Sequence, residues 1–129
     1  MRNLTKQRQR ERRQADPLRD VFRDQFPLCW ICLRPATDIH EMTPGAARRR
    51  GYGERCTWIA TCRACHQEKL QPFYAPFDLA GQLALKSRFD LGYYDREHVL
   101  DIKDLAPTAI TEKEVLAAVW NLLQVGTAR

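Results

Sequence analysis

Two segments decide how this chain folds: CWIC at residues 29–32 and CRACH at residues 62–66. Each carries two cysteines, and a C-x-x-C turn places two thiolates about one tetrahedral edge apart. Two such turns together can surround a zinc ion with protein ligands alone. The sequence therefore predicts a structural Zn²⁺ site formed by Cys29, Cys32, Cys62 and Cys65.

The length of the chain, 129 residues, suits one domain with a small core that a metal would help to stabilise. Bound zinc contributes about 10–16 kcal/mol in small finger peptides, as much as the whole stability of an ordinary domain. No apolar run approaches the roughly 20 residues that span a bilayer, and the basic N-terminus lacks the apolar segment of a secretory signal. We therefore expect a cytoplasmic protein with no membrane partner, in which Cys56 is a structural thiol.

The positive charge of the chain is concentrated in its N-terminal part. Residues 1–75 hold 15 Lys and Arg against 8 Asp and Glu, whereas residues 76–129 hold 6 against 8. A polyanion would be attracted to the positive half and would release counterions on binding. A nucleic acid, DNA in the first place, is therefore the expected partner.

Three parts are expected along the chain. Residues 1–16 form a basic flexible arm, either a frayed helix or a disordered segment, because they contain little to bury. Residues 17–75 form the zinc module. Residues 76–129 form a helical C-terminal extension packed on that module.

The elements of the middle part follow from local signals. A helix should begin at Asp16-Pro17, where a capping residue precedes a proline. Strands are expected near residues 37–43 and 57–61, on either side of a glycine-containing loop. The second cysteine pair should open a further helix, because good helix formers follow it.

The helices of the extension carry their own start signals. Asp78 and Asp95 each precede an apolar pattern at helical spacing and can serve as N-caps. Thr111 and Glu114 have the spacing of a capping box before a third such pattern. These apolar positions are expected to form the core.

The predicted elements follow the order of a ββα-metal module: a cysteine pair comes first, then two strands around a loop, and then a second cysteine pair that opens a helix. Over residues 27–72 the chain resembles the HNH endonuclease family, which reads C-x-x-C, an Asp/His-His dipeptide, a Gly-rich loop, an Asn and C-x-x-C-H or C-x-x-C-N. It is most similar to phage and prophage variants with Ile-His-Glu, an arginine-rich loop and a tryptophan, as at residues 39–41, 48–50 and Trp58. The resemblance implies an α+β, zinc-stapled module with flanking helices, from a bacterial or phage-infected cell.

The resemblance also implies roles for individual residues. His40 and His66 stand where the family holds its catalytic divalent metal, and Glu41 stands where the family has its general base, usually a histidine. Thr57 stands where the family often has an Asn that braces the loop. His40, Glu41 and His66 are therefore the expected catalytic residues, with departures from the family pattern at Glu41 and Thr57.

The chemistry of phosphodiester hydrolysis bears on these assignments. The reaction needs a water that loses a proton and a positive charge near the phosphoryl oxygens. A carboxylate is a weaker base than an imidazole at pH 7, since their ordinary pKa values are about 4.3 and about 6.5. Two imidazole ligands favour Mn²⁺, Ni²⁺ or Zn²⁺ over Mg²⁺, which prefers oxygen, so activity with Mn²⁺ should exceed that with Mg²⁺.

Four arginines lie in or beside the loop between the predicted strands: Arg48, Arg49, Arg50 and Arg55. A loop next to a centre that cleaves phosphodiesters needs contacts that position the DNA backbone. We therefore expect these arginines to bind phosphates.

The leading interpretation is an HNH-type endonuclease that hydrolyses or nicks DNA through one divalent metal. The alternative is a catalytically weak or inactive HNH-fold zinc protein that acts as a DNA-binding or assembly module, with a protein partner on the C-terminal helices. A zinc ribbon that mediates only protein contacts is disfavoured by the arginine-rich arm and loop. CRACH also matches the c-type haem pattern, which the lack of a signal peptide and the upstream cysteine pair disfavour.

Overall fold

Helices surround one small antiparallel sheet in the computed structural model, which describes residues 2–70 and 76–124. The predicted α+β class is confirmed. The predicted boundary after residue 75 adjoins residues 71–75, which lie outside the described part. The elements in chain order are α1 (Arg2–Gln25), β1 (Asp38–Glu41), α2 (Arg48–Gly51), β2 (Trp58–Thr61), α3 (Arg63–Glu68), α4 (Leu79–Phe89), α5 (Arg96–Ile102) and α6 (Glu112–Gln124).

Helix α1 is longer than the sequence indicated. It continues through Pro17, so the helix start predicted at Asp16-Pro17 was wrong, and residues 2–16 of the predicted arm form the N-terminal part of α1. Proline lacks an N–H and clashes with the preceding turn, which costs about 3 kcal/mol inside a helix. Ala15, Arg19 and Phe22 are buried at helical spacing on both sides of the proline, and this burial offsets that cost.

Strands β1 and β2 form the antiparallel pair that the sequence predicted near residues 37–43 and 57–61. Alternate side chains of a strand point to opposite faces of the sheet. Asp38 and His40 therefore share one face of β1, and Glu41 lies on the other. This alternation separates His40 from Glu41, which were predicted to belong to one site.

An aromatic cluster joins the cysteine turns to both helical flanks. Trp30, inside the first cysteine turn, is buried and stacks on Phe89 of α4 with ring centroids 5.2 Å apart. Phe22 of α1 meets Trp30 and Trp58 edge to face, at 5.8 and 5.5 Å. Such pairs contribute about 0.5–1.5 kcal/mol each beyond burial of their area. The zinc module, α1 and α4 therefore share one core.

Three helices of the extension begin where their caps predicted. Asp78 and Asp95 each accept a hydrogen bond from the backbone N–H three residues further on. Thr111 and Glu114 form a reciprocal capping box, in which the side chain of each accepts from the backbone N–H of the other. Each such cap satisfies helix N–H groups that have no partner within the helix.

A buried cation anchors α4 to the sheet. Lys86 is inaccessible to solvent, and its Nζ donates to the Trp58 carbonyl oxygen at 2.9 Å and to Asp90 Oδ2 at 2.8 Å. Arg55 binds the same carboxylate through Nε and Nη2, at 3.0 and 3.1 Å. Removing one partner from a buried ionic group costs roughly 3–5 kcal/mol, so these three residues act as a unit of the framework.

Candidate functional site

The first cysteine turn has the backbone of a metal-binding knuckle. The Ile31 N–H donates to Cys29 Sγ at 3.4 Å, and the Leu33 N–H donates to the Cys29 carbonyl oxygen at 3.0 Å. Leu33 lies in the left-handed region with a φ of 64°, which a leucine rarely adopts. Backbone strain of this kind persists where the surrounding structure requires it, here in closing the turn around two sulfurs.

The second cysteine turn is also the start of α3, as predicted. Cys62 is the N-cap, and its Sγ accepts a hydrogen bond from the Cys65 N–H at 3.4 Å. That hydrogen bond lowers the pKa of Cys62 to about 7, which favours the thiolate that a metal binds. Burial raises the pKa of Cys32 and of Cys65, and a bound cation would reverse this because its charge stabilises thiolates.

The four cysteine sulfurs meet between the two turns. All four Sγ atoms lie within 4.8 Å of one another, and those of Cys32 and Cys62 are 3.6 Å apart. Zn–S bonds of about 2.3 Å require tetrahedral S···S edges of about 3.8 Å, so the donors and their spacing fit zinc. The four cysteines thus form a structural metal site that suits zinc, with every ligand supplied by the protein.

Two histidines and an aspartate lie against each other where β1 meets α3. The rings of His40 and His66 are edge to face, with centroids 5.1 Å apart. Asp38, on the same face of β1 as His40, accepts a hydrogen bond from His66 Nδ1 at 3.1 Å, and Arg63 binds the same carboxylate. His66 Nδ1 therefore carries a hydrogen, and Nε2 is the ring nitrogen that this contact leaves for a ligand.

Two hydrogen bonds of the Gln82 side chain, one to the segment before α4 and one to His40, fix the tautomer of His40. Gln82 Nε2 donates to the Phe77 carbonyl oxygen at 2.9 Å, which leaves Gln82 Oε1 to accept from His40 Nε2, also at 2.9 Å. The lone pair of His40 is therefore on Nδ1, which is buried and has no hydrogen-bond partner in the described part of the chain. Burial lowers the pKa of His40 to about 4, so the ring is neutral at pH 7. A buried acceptor without a donor is costly unless something binds it.

The two predicted metal-binding histidines are thus brought together, each with one nitrogen held by the protein. Among the described residues, no Cys, Asp or Glu completes a group of three with them whose ligand atoms all lie within 4.8 Å. Water or substrate would have to complete a metal site here. Lys103, just after α5, adds positive charge that acts on His40, and its Nζ donates to the Met42 carbonyl oxygen at 3.4 Å.

Glu41 lies on the opposite face of β1 from His40. Its carboxylate is 8 % exposed, accepts from Arg48 Nε at 3.0 Å and lies 3.6 Å from Nη2 of the buried Arg19. The Arg19 guanidinium in turn stacks over the Tyr52 ring, 4.3 Å from its centroid. The contacts of Glu41 therefore tie α1 to the loop, while its assignment as general base stays a prediction.

Each of the four arginines predicted to bind DNA is paired with a carboxylate of this chain. The pairs are Arg48 with Glu41, Arg49 with Glu11, Arg50 with Asp104, and Arg55 with Asp90.

These pairs differ in how easily an arginine could leave its partner. The pairs of Arg49 and Arg50 are exposed, and exposed pairs contribute only about 0–1 kcal/mol, so either guanidinium can exchange its carboxylate for a phosphate. The Arg55 side chain is 16 % exposed, binds Asp90 through two nitrogens and stacks on Tyr93 at 3.9 Å. Arg55 therefore has a structural role in the fold that the sequence analysis missed.

Thr57 braces the loop from the position that the resemblance gives to an Asn. Its Oγ1 lies 2.8 Å from the Glu54 carbonyl oxygen and 3.0 Å from that of Gly51. Gly51 itself has no room for a side chain, because an added Cβ would lie 2.0 Å from Thr43 Oγ1. The Thr57 hydroxyl and the close packing around Gly51 thus hold the loop that leads into β2.

Three side chains around the histidines were not predicted from the sequence: Asp38, Gln82 and Lys103. Asp38 carried a signal, because the residue two positions before His40 must share its face of a strand. Gln82 and Lys103 come from the helical extension. No local sequence pattern predicts contacts between residues that lie so far apart along the chain.

Metal removal should unfold the zinc module, since the apparent contribution of zinc, about 10–16 kcal/mol, matches the stability of a whole domain. Trp30 and Trp58 are buried, whereas Trp120 is exposed, so Trp120→Phe leaves a protein whose emission reports the core. We expect a strong chelator to shift this emission to the red, and Zn²⁺ but not Mg²⁺ to restore it. Unchanged emission in protein shown to be free of metal would contradict a structural role for the ion.

Comparison with models of known protein families, with curated proteins and with solved structures finds no significant match to this chain. None of the helices in the described segments is long and apolar enough to cross a membrane.

Proposed function

We propose that this chain is a metal-dependent endonuclease of the HNH type that hydrolyses or nicks DNA, with His40 and His66 as ligands of the catalytic ion. The observation that carries the proposal is the histidine pair: the rings lie 5.1 Å apart, and a protein acceptor holds one nitrogen of each. A histidine that binds a metal almost always donates its other N–H to a carboxylate, carbonyl or water in this way.

The atoms available to a metal are His66 Nε2 and His40 Nδ1. A divalent ion bound there would offset charge on the phosphoryl oxygens and lower the pKa of a bound water. Imidazole ligands favour Mn²⁺, Ni²⁺ or Zn²⁺ over Mg²⁺, and water and phosphate oxygens would occupy the other positions. The buried, unpartnered lone pair of His40 supports this assignment, because a ligand there would satisfy it.

The remaining residues of the site orient the two histidine rings and supply positive charge. Asp38 fixes the ring of His66, and Gln82 fixes that of His40, so each lone pair is preorganised. Lys103 supplies positive charge beside the histidines, where a phosphate would carry negative charge. Glu41 neutralises Arg19 and Arg48 on the other face of the strand.

A basic cleft between α1 and the loop supports DNA as the substrate. Its volume is about 320 Å³. Its charged and aromatic lining consists of Arg8, Glu11, Arg12, Arg48, Arg49 and Tyr52. Four guanidinium groups against one carboxylate favour an anion, and arginine suits phosphate because its fork binds two oxygens at once.

A plasmid-nicking assay tests the proposal, with zinc bound at the four cysteines and Mn²⁺ added. We expect nicking by the unaltered protein, a lower rate with Mg²⁺, and a loss of about 100-fold or more in His40→Ala and His66→Ala. Losing a ligand of the ion removes several kcal/mol of charge stabilisation, which accounts for a loss of this size. Lys113→Ala is the control, because it truncates an exposed side chain at the start of α6 and should keep its activity.

Full activity in His66→Ala would overturn the proposal. Glu41→Gln separates the two roles considered for that residue. Loss of nicking at an unchanged melting temperature would identify a base, whereas a lowered melting temperature with nicking retained would identify the ion pair alone.

The salt dependence of DNA binding tests the loop arginines. Arg49→Ala/Arg50→Ala should flatten the plot of log Kobs against log[salt], by about 0.9 for each phosphate that the variant no longer neutralises. Arg23→Ala/Arg88→Ala removes the same charge from exposed positions outside the loop and should leave the slope unchanged. Equal slopes for the two double variants, measured without Mn²⁺, would contradict phosphate binding by Arg49 and Arg50.

One observation favours the second function, an assembly module without efficient catalysis. Helix α6 exposes Leu116, Trp120 and Leu123, with 64 %, 66 % and 41 % of their surfaces accessible. Residues at this spacing form one stripe along a helix, and exposed aromatic and aliphatic side chains are typical of protein contacts. Zinc-loaded protein that is inert in the nicking assay would support this function instead.

A further inference from the structure

A second group of metal-type ligands shares no residue with the four cysteines or the histidine pair. Glu54 directly precedes the short 3-10 turn of residues 55–57, Cys56 lies within that turn, and His98 lies in α5. Their ligand atoms all lie within 4.8 Å of one another, and His98 Nε2 is 3.6 Å from Glu54 Oε1. In the described residues, the four cysteines are the only other group with this property.

The three side chains offer a thiolate, an imidazole and a carboxylate. Zinc accepts all three donor types, and three protein ligands with one open position are typical of zinc sites that bind water or substrate. The thiolate disfavours Mg²⁺ and Ca²⁺, which take oxygen ligands, and favours zinc or a similar transition metal.

We propose that Glu54, Cys56 and His98 form a second metal site, which binds zinc or a similar divalent transition metal and leaves one position for water. The Glu54 and His98 side chains are about half exposed, so an ion can enter from solvent, whereas Cys56 is buried behind them. The site is thus open on one side, unlike the closed site of the four cysteines.

The charges around Cys56 suit a cation. The carboxylates of Glu54 and Asp95 both act electrostatically on the thiol. Asp95 also accepts from the backbone N–H of His98 as the N-cap of α5, which fixes the start of the helix that presents the imidazole. Lys86 is a cation that acts on the same thiol, and it shares the Asp90 carboxylate with Arg55.

A metal at this position would join two parts of the chain. Glu54 and Cys56 belong to the loop that leads into β2, whereas His98 belongs to the helical extension, whose Lys103 lies beside His40. An ion held between them would stabilise the docking of α5 through mass action, in proportion to its concentration. The inference does not depend on the proposed nuclease activity, because it uses none of the residues assigned to catalysis.

Cobalt tests the proposal, since Co²⁺ bound to a thiolate gives a sulfur-to-metal charge-transfer band that histidine ligands alone do not give. We would add Co²⁺ to full-length protein with zinc at the four cysteines and measure both the band and the zinc retained. We expect the band to appear in the unaltered protein with no release of zinc. The band should be absent in Cys56→Ser. In His98→Ala and Glu54→Gln the affinity for Co²⁺ should fall by more than about tenfold, because loss of even an outer partner of a metal ligand costs 10–100-fold.

Two control variants make the outcome specific. Glu97→Gln removes an exposed carboxylate next to His98 and should bind Co²⁺ like the unaltered protein. His66→Ala removes a histidine of the other site and should also keep the band. No band in the unaltered protein, a band that persists undiminished in His98→Ala, or a band that grows only as zinc is released would each overturn the second site.

Discussion

Four sulfur atoms drawn from two short turns set the geometry on which the rest of this structure depends. One turn comes before β1 and the other directly after β2, so an ion held by the sulfurs also holds the ends of the hairpin. Trp30 lies inside the first turn and enters the shared aromatic core, while His66 follows the last cysteine. Core packing and site geometry are therefore both tied to the sulfur cluster.

The alternation of side chains along β1 places its polar residues on two different faces of the sheet. Asp38 and His40 face α3 and α4, where they meet His66 and Gln82. Glu41 points to the other side, where it neutralises arginines that come from α1 and the loop. His40 and Glu41 are neighbours in the sequence but thus contribute to two separate groups of contacts, one built around the two histidines and the other a buried ionic contact.

Features that depend on neighbours in the sequence could be predicted. The cysteine turns, both strands and the caps at Asp78, Asp95 and Thr111 are local, because the atoms that form them lie within a few residues. The continuity of α1 through Pro17 was not predictable in this way, since it depends on burial of Ala15 and Phe22 by distant segments.

The candidate site was predictable only in part, for the same reason. His40 and His66 could be placed near each other once the cysteines brought β1 and α3 together. Gln82, which fixes the tautomer of His40, comes from a helix 42 residues away. The carboxylates that pair with Arg49, Arg50 and Arg55 come from α1 and the extension. A charge pattern in a sequence shows which residues are basic but not which of them already have a partner.

The central claim is that His40 and His66 each present a lone pair to a common ion, and long-range ¹H–¹⁵N correlation spectra of the imidazoles test it most directly. In protein with zinc at the four cysteines alone, His40 should appear as the Nε2–H tautomer with Nδ1 unprotonated. Further Zn²⁺, added until no resonance changes, should shift His40 Nδ1 and His66 Nε2 together. A hydrogen on His40 Nδ1, or no response of these two nitrogens to Zn²⁺, would contradict the account.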